Sequence, residues 1–335
     1  GFVQFYLADY YRTKKDSLNT EKYIRPALAN DNIDNNLKVQ YLLKLLVNQA
    51  DLSLSTDHIY RYVQLLLEKY PGDLSVRTLN ADFLKRENKL EECKKELEFI
   101  ISKEKNNYLV WEELMLLSNQ LGDTAAMKSE GLECLNYFPN ESLPYMMISL
   151  PMLIEGNYAK ATGYLQKGLE LAPDKSFIKS QLYAYLGECY YKQDSIEIAF
   201  SMFDSAIAIN PNDIMTLNNY SYYLSLRNER LNQAEKMIST ALSADPNNAT
   251  FLDTYAWVLF KLKNYSLARF YMRSAIENTE KPSGVLYEHY GDILYMNGDK
   301  EEALKMWKKA LELGDDISDN LKNKIVNGLS VEHEE

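Results

Sequence analysis

Residues 183–211 read YAYLGECYYKQDSIEIAFSMFDSAIAINP, and this stretch decides the fold. Its characteristic positions are Tyr183, Leu186, Gly187, Tyr190, Ala199, Phe203, Ala206 and Pro211. Residues of these types in this order are typical of two helices joined by a short turn. Such a pair cannot bury its apolar face alone, so the stretch predicts that the pair stacks on neighbouring pairs.

The same pattern recurs along the chain about every 34 residues, and a second clear copy spans 287–310. A small or apolar residue of the second helix marks each repeat, at Ile59, Cys93, Met127, Ala161, Ala199, Ala234, Ala268 and Ala303. Prolines follow several of these markers at a constant interval, at Pro71, Pro139, Pro173, Pro211 and Pro246. Because proline cannot continue a helix, these prolines predict where second helices end.

Repeats of this kind account for most of the chain. We place them at 1–39, 40–73, 74–107, 108–141, 142–179, 180–214, 215–248, 249–283 and 284–315. The remainder, 316–335, is expected to hold a final amphipathic helix over 317–329 and a charged tail. Pro26 lies in the second helix of repeat 1 and Pro151 in the first helix of repeat 5, and both are expected to kink or interrupt their helices.

This order and spacing resemble the tetratricopeptide repeat (TPR) family, most strongly from residue 108 to 314. The resemblance implies an all-α fold, a right-handed α-solenoid of about nine TPR helix-turn-helix repeats. A C-terminal capping helix would cover the last apolar face of such a solenoid.

A narrower resemblance concerns the source and location of the protein. The phrases LNNYSYYLS, FLDTYAWVLFKLKNY and YEHYGDILYMNGD, within 217–299, are similar to bacterial, Bacteroides-like cell-envelope TPR proteins. This resemblance favours a periplasmic or cell-envelope location over a cytoplasmic one, although no segment of the sequence decides the compartment. Gly1 directly precedes a helical sequence without an initiator Met, so we expect an N-terminal segment to be missing.

A ligand groove is also implied by the resemblance. In TPR proteins the first helices line the concave inner face, and repeat positions 2, 5, 9, 12 and 13 point into the groove. In repeats 7 to 9 the residues at these positions, which we expect to line the groove, are Asn219, Tyr223, Arg227, Asp253, Trp257, Lys261, Glu288, Asp292 and Tyr295. Repeats 2 and 3 add a secondary groove of Lys44, Asn48, Asp82, Lys85 and Arg86.

Composition and motifs argue against several classes of function. The net charge of −11 disfavours nucleic-acid binding, which normally needs a basic face. No apolar stretch of the sequence approaches the ~18–20 residues that cross a bilayer. Glycine-rich phosphate loops, Cys-x-x-Cys pairs and serine-nucleophile motifs are missing from the sequence, so we expect no enzyme, no cofactor and no metal.

Two sets of reactive side chains leave alternatives open. His289 and Asp292 are one helical turn apart and would form a metal or general-base pair, or else His289 would form a hydrogen bond along its own repeat, and we favour the second alternative. Cys93, Cys134 and Cys189 are expected to be reduced and buried.

These observations lead to one hypothesis of function and two alternatives. The hypothesis is a non-enzymatic protein–protein interaction scaffold that binds a peptide or helix of another protein in its concave groove. Asn219 and Asp253 would form hydrogen bonds with that partner, Trp257 would stack on it, and the acidic surface would favour basic partners. The alternatives are a glycan-binding module that uses the groove aromatics and an accessory subunit that regulates a cell-envelope enzyme.

Overall fold

The computed structural model describes residues 2–47, 56–314 and 317–329, and within these ranges the chain forms nineteen helices and no strand. In chain order they are α1 (Phe2–Thr13), α2 (Ser17–Leu28), α3 (Asn35–Val47), α4 (Thr56–Lys69), α5 (Leu74–Arg86), α6 (Leu90–Lys103), α7 (Tyr108–Gln120), α8 (Thr124–Cys134), α9 (Ser142–Ile154), α10 (Tyr158–Leu171), α11 (Phe177–Lys192), α12 (Ile196–Ile209), α13 (Ile214–Arg227), α14 (Leu231–Ala244), α15 (Ala249–Lys261), α16 (Tyr265–Glu277), α17 (Gly284–Met296), α18 (Lys300–Leu313) and α19 (Leu321–Asn327). The predicted all-α repeat fold is confirmed. None of the described helices is both long and apolar enough to cross a membrane.

The chain divides into two compact units, Gly1–Leu171 and Ala172–Glu335. In each unit an odd-numbered helix packs against the even-numbered helix that follows it, as α5 does on α6 and α13 on α14. Even-numbered helices also contact the next odd-numbered helix, as α14 contacts α15. Each pair therefore covers part of the apolar surface of its neighbour, which is how repeat proteins build a continuous core.

Polar side chains fix where several helices begin. The Asp213 carboxylate accepts a hydrogen bond from the backbone N–H of Thr216, and the side-chain oxygen of Asn248 accepts from those of Thr250 and Phe251. These caps satisfy backbone donors that have no partner inside the helix. Local sequence therefore sets the start of the first helices α13 and α15, and with it the register of their side chains.

Close packing within a pair depends on small residues. A Cβ atom at Gly187 would lie 2.9 Å from the ring of Phe203, and one at Gly291 would overlap the ring of Trp307. The marker alanines are fully buried, at Ala161, Ala199, Ala234, Ala268 and Ala303. The periodic small residues of the sequence are thus the points at which two helices approach most closely.

The two interior prolines lie inside continuous helices, so the expected interruption is wrong, whereas the expected kink stays a prediction. Helix α2 runs through Pro26, and α9 runs through Pro151. Helix α9 is buried from Ser142 to Met152 except at Tyr145, and the N–H of Glu155 still donates to the carbonyl of Pro151. Tertiary packing of the apolar segment outweighs the one backbone hydrogen bond that each proline removes.

All three cysteines are buried, as predicted. Burial raises the pKa of Cys93 to about 11 and that of Cys134 to about 12. Their thiols stay protonated at neutral pH and behave as small apolar side chains.

Substitution of Gly291 by Ala should show how tightly a pair is packed. The added methyl group meets the ring of Trp307, so Gly291→Ala is expected to lower the free energy of unfolding by about 1–3 kcal/mol. Gly163→Ala is the control, because Gly163 is an exposed glycine inside α10 with open space around it, and its replacement is expected to stabilise the helix by up to about 1 kcal/mol. Urea unfolding followed by circular dichroism measures both, and equal effects would contradict the packing described for Gly291.

Candidate functional site

The first helices of the second unit, α11, α13, α15 and α17, meet through side chains on a common face. The ring of Tyr191 on α11 stacks on Tyr223 of α13 with centroids 4.1 Å apart. The ring of Trp257 on α15 stacks on His289 of α17 at 3.9 Å, and Tyr222 of α13 lies 6.3 Å from His289. We call this surface the first-helix face, and it consists of Tyr191, Tyr222, Tyr223, Asp253, Trp257 and His289.

His289 holds two helices of this face together. Its Nδ1 atom lies 3.0 Å from Oδ1 of Asp253 in the preceding repeat, and its side chain is buried. The hydrogen bond of His289 therefore joins it to the preceding repeat and does not run along its own repeat, as the sequence led us to expect. Within the described ranges, no group of three or more His, Cys, Asp or Glu side chains is arranged to hold a metal ion. This geometry makes His289 a structural link between α15 and α17.

Trp257 is one of two predicted groove residues with a buried aromatic ring, and Tyr223 is the other. Trp257 is only 7% exposed, its ring also stacks on Phe260 at 4.8 Å, and the ammonium of Lys261 lies 4.9 Å from the ring centroid. Burial lowers the pKa of Lys261. The Trp257 Nε1–H group is buried and has no hydrogen-bond partner within the described ranges. Tyr223 is similarly enclosed, so neither ring offers an open face to a sugar.

The C-terminal segment contacts two further predicted groove residues. Glu288 and Asp292 are buried, and Lys324 of α19 reaches both carboxylates, at 2.6 Å and 2.7 Å. Ser318 adds a backbone N–H bond to Glu288 at 2.7 Å and a bond from its hydroxyl group. Trp307 Nε1 donates to Asp292 at 2.8 Å. These contacts fix α19 against α17 and withdraw the two carboxylates from solvent.

The pKa values of the two carboxylates are shifted in opposite directions. Burial alone would raise the pKa of Glu288, but the hydrogen bonds from Lys324 and Ser318 outweigh it, so that pKa lies below its ordinary value. Burial raises the pKa of Asp292, and the attraction of Lys324 opposes the rise. One lysine thus stabilises two buried acids, which makes Lys324 the residue on which this end of the fold depends.

The other predicted residues lie in more open surroundings. Arg227 is exposed, and Tyr295 is half-buried with its ring 5.5 Å from that of Trp307. Asn219 is half-buried, and its side-chain oxygen accepts a hydrogen bond from Asn218 at 3.0 Å, which leaves its amide group as a donor.

The secondary groove falls in the first unit. Asp82 and Arg86 are exposed, whereas Lys85 pairs with Glu113. Lys44 pairs with Asp9 at 3.1 Å. Asn48 lies outside the described residues. Two of the predicted lysines are therefore neutralised by carboxylates of an adjacent first helix.

A cleft of about 340 Å³ opens between α11 and α13. Phe177 and Met215 are 69% and 56% exposed at this cleft, and Gln181, Glu188 and Asn219 supply polar groups. Gln181 donates to Asp213 at 2.7 Å, which links the two helices. Burial raises the pKa of Glu188. We call this site, with its lining residues on α11 and α13, the α11–α13 cleft.

Sequence reasoning missed most of this cleft, although the signal was present. The groove positions that were applied to repeats 7 to 9 give Gln181, Ala184 and Glu188 when they are applied to repeat 6. All three line the α11–α13 cleft, together with Asn219 of repeat 7.

Known proteins resemble this chain in structure and not in sequence. No family model matches the amino-acid sequence, and no curated protein matches it. A chain of the APC/C hetero-tetramer Cut9–Hcn1 is similar over 96% of this chain and 64% of its own length, with a TM-score of 0.61 and 14% identity. A tetratricopeptide repeat protein from Parabacteroides merdae ATCC 43184 is similar over 76% of this chain and 97% of its own, with a TM-score of 0.52 and 16% identity.

This chain has the fold of a TPR solenoid. The predicted resemblance is confirmed by helices that pair in the order of the repeat and by these two structures. At such identities the similarity concerns the fold alone. The assembly of Cut9 with Hcn1 therefore describes that complex and not this chain.

Removal of Lys324 should destabilise this TPR solenoid in a pH-dependent way. Lys324→Met leaves Glu288 and Asp292 buried without a cation, which is expected to cost about 3–5 kcal/mol at pH 7. In the native protein the ion pair with Glu288 stabilises the fold above the ordinary pKa of the acid and is lost as pH falls through the lowered value. In the variant, protonation removes the negative charges of the two buried acids. The loss of stability caused by Lys324→Met therefore becomes smaller as the pH falls.

The difference in melting temperature between native and Lys324→Met proteins is therefore expected to be large at pH 7.5 and small near pH 4.5. Lys322→Met is the matched control, because Lys322 is exposed on the same helix. A difference that is constant with pH, or equal for the two lysines, would contradict the described role of Lys324.

Proposed function

We propose that this TPR solenoid is a non-enzymatic protein-interaction scaffold that binds an extended peptide or a helix of a partner in the α11–α13 cleft. The observation that carries the proposal is the pair of exposed apolar side chains, Phe177 and Met215, beside polar groups in one concave site. Apolar anchors with a few placed polar groups are what peptide-binding sites offer. Asn219 supports it with an amide donor at the same cleft.

The charge of the cleft favours a partner with basic character. Glu188 and Asp213 line it, and no Lys or Arg is among its lining residues in the described structure. Burial raises the pKa of Glu188, while Lys192 on the next turn opposes that rise. A cation of the ligand would stabilise the charged form of Glu188, and the net charge of −11 would steer basic segments toward the protein.

The predicted groove residues take different parts in this proposal. Asn219 contacts the ligand directly, and Arg227 and Lys261 are available to a ligand that extends beyond the cleft. Tyr223, Asp253 and Trp257 maintain the first-helix face on which the ligand lies. Glu288 and Asp292 serve the C-terminal segment instead, as their contacts with Lys324 indicate.

A selection from a random displayed-peptide library tests the proposal. Peptides selected on the native chain are expected to bind Phe177→Ala and Asn219→Ala at least about fivefold more weakly, since loss of an anchor in a binding site typically costs above about 1 kcal/mol. Fluorescence polarisation with labelled peptides measures the affinities. Both side chains are at the surface of the cleft, so circular dichroism is expected to be unchanged.

Phe270→Ala is the matched control, because Phe270 is an equally exposed aromatic residue on the second helix α16. Selected peptides that bind all three variants like the native chain would argue against the cleft. The same conclusion would follow if Phe270→Ala weakened binding as much as Phe177→Ala.

A further inference from the structure

A second cleft, of about 390 Å³, lies in the first unit between the second helices α6 and α8. Glu98 of α6 and Glu130 and Glu133 of α8 line it, together with Lys105. Trp111 of α7 contributes to its floor, and its indole N–H donates to the carbonyl of Lys105 at 3.0 Å. We call it the acidic cleft, and it is built from other helices than the α11–α13 cleft.

Glu130 is the unusual member of this group. It is only 9% exposed, and its Oε1 atom accepts a hydrogen bond from the hydroxyl of Ser118 at 2.9 Å. Its Oε2 atom is buried and has no hydrogen-bond partner among the described residues. Lys94 lies 3.9 Å from Glu130 but forms its hydrogen bond with Asp123 at 2.6 Å. In the part of the chain that the structure describes, Glu130 therefore retains one acceptor oxygen without a donor, which is a costly state for a buried carboxylate.

The charges around the cleft are also unbalanced. Lys105 pairs with Glu133 at 2.6 Å, and the residues that line the cleft in the described structure include no other Lys or Arg. Glu98 and Glu130 therefore have no positive partner among the lining residues. Burial raises the pKa of Glu130 to about 7, Ser118 and Lys94 oppose the rise, and the charges of Glu98 and Asp123 add to it. A positive group placed between Glu98 and Glu130 would satisfy the unpaired oxygen and offset the repulsion of the two acids.

The size and chemistry of the site favour an organic cation. No set of three metal-ligating side chains is arranged for an ion in the described residues, and a cleft of 390 Å³ is far larger than one ion needs. A guanidinium group is planar, is weakly hydrated and donates two parallel hydrogen bonds to a carboxylate. Its aliphatic stem can lie along apolar surface such as that of Ile101 and Leu114 at the base of the cleft.

We propose that the acidic cleft binds the guanidinium group of an arginine side chain from a basic partner segment, with Glu130 as its main acceptor and Glu98 as the second. The site lies apart from the α11–α13 cleft in sequence and in structural unit, so the proposal stands independently of the proposed function.

A nuclear magnetic resonance titration of the full chain tests this site. The probe is Nα-acetyl-arginine amide, and the neutral isostere Nα-acetyl-citrulline amide is the control ligand. The arginine probe is expected to shift the backbone amides of Ser102, Ser129 and Glu130 and the indole resonance of Trp111. The citrulline probe is expected to leave these resonances in place.

The pH dependence of binding gives a second readout. Because the probe binds the ionised carboxylate and the pKa of Glu130 is about 7, binding is expected to be about tenfold tighter at pH 8 than at pH 6. Lys94, Ser118, Glu98 and Asp123 face Glu130. Burial alone would lower the pKa of Lys94, but its hydrogen bond with Asp123 raises it, and the same bond lowers the pKa of Asp123, so neither of these two changes its charge in that range.

Three variants complete the experiment. Glu130→Gln is expected to abolish the arginine-dependent shifts, and Glu98→Gln, at an exposed position, is expected to weaken binding about threefold to tenfold. Glu92→Gln removes the same charge from an exposed position on α6 and is expected to leave binding unchanged. If Glu130→Gln fails to fold, the Glu98→Gln and Glu92→Gln pair decides the matter.

Several results would overturn the proposal. They are shifts of equal size with the citrulline probe, no shifts at the acidic cleft, or equal binding by Glu98→Gln and Glu92→Gln. Tighter binding of Nα-acetyl-lysine amide than of the arginine probe would overturn the assignment of a guanidinium group.

Discussion

Close approach of the two helices within a repeat is the constraint on which the rest of the structure depends, and only small residues permit it. The hydroxyl of Ser221 on α13 donates to the carbonyl of Ala234 on α14 at 3.0 Å, so side chain and backbone of two helices are in direct contact. The backbone of Gly187 on α11 likewise lies directly against the ring of Phe203 on α12. Because each pair still has an uncovered apolar side, stability comes from pairs that cover one another.

Much of the fold follows from that constraint and could be predicted from sequence. The spacing of small residues identified the second helices and positions such as Cys93 and Ala234, which are fully enclosed. The prolines were harder to predict, because the expected interruption of the helix does not occur at Pro151. Its helix lies in the core, where packing energy exceeds the local preference of one residue.

The candidate site could be predicted only in part. Family positions brought Asn219 to a real cleft, but they assigned Glu288 and Asp292 to the ligand, whereas Lys324 and Ser318 occupy them. Those partners lie about thirty residues further along the chain, and nothing in a repeat pattern tells which distant segment returns to a given helix. Trp257 was likewise predicted to stack on a partner, although the ring of His289 from the next repeat stacks on it.

Hydrogen exchange measured by mass spectrometry on Ala234→Leu tests the dependence of one repeat on its neighbours most directly. The longer side chain separates α13 from α14, and α14 packs against α15, which in turn packs against α16. The account predicts that exchange becomes faster in α13 and α14 and also in α15 and α16, although the latter two helices are unchanged in sequence. Faster exchange confined to α13 and α14 would contradict it.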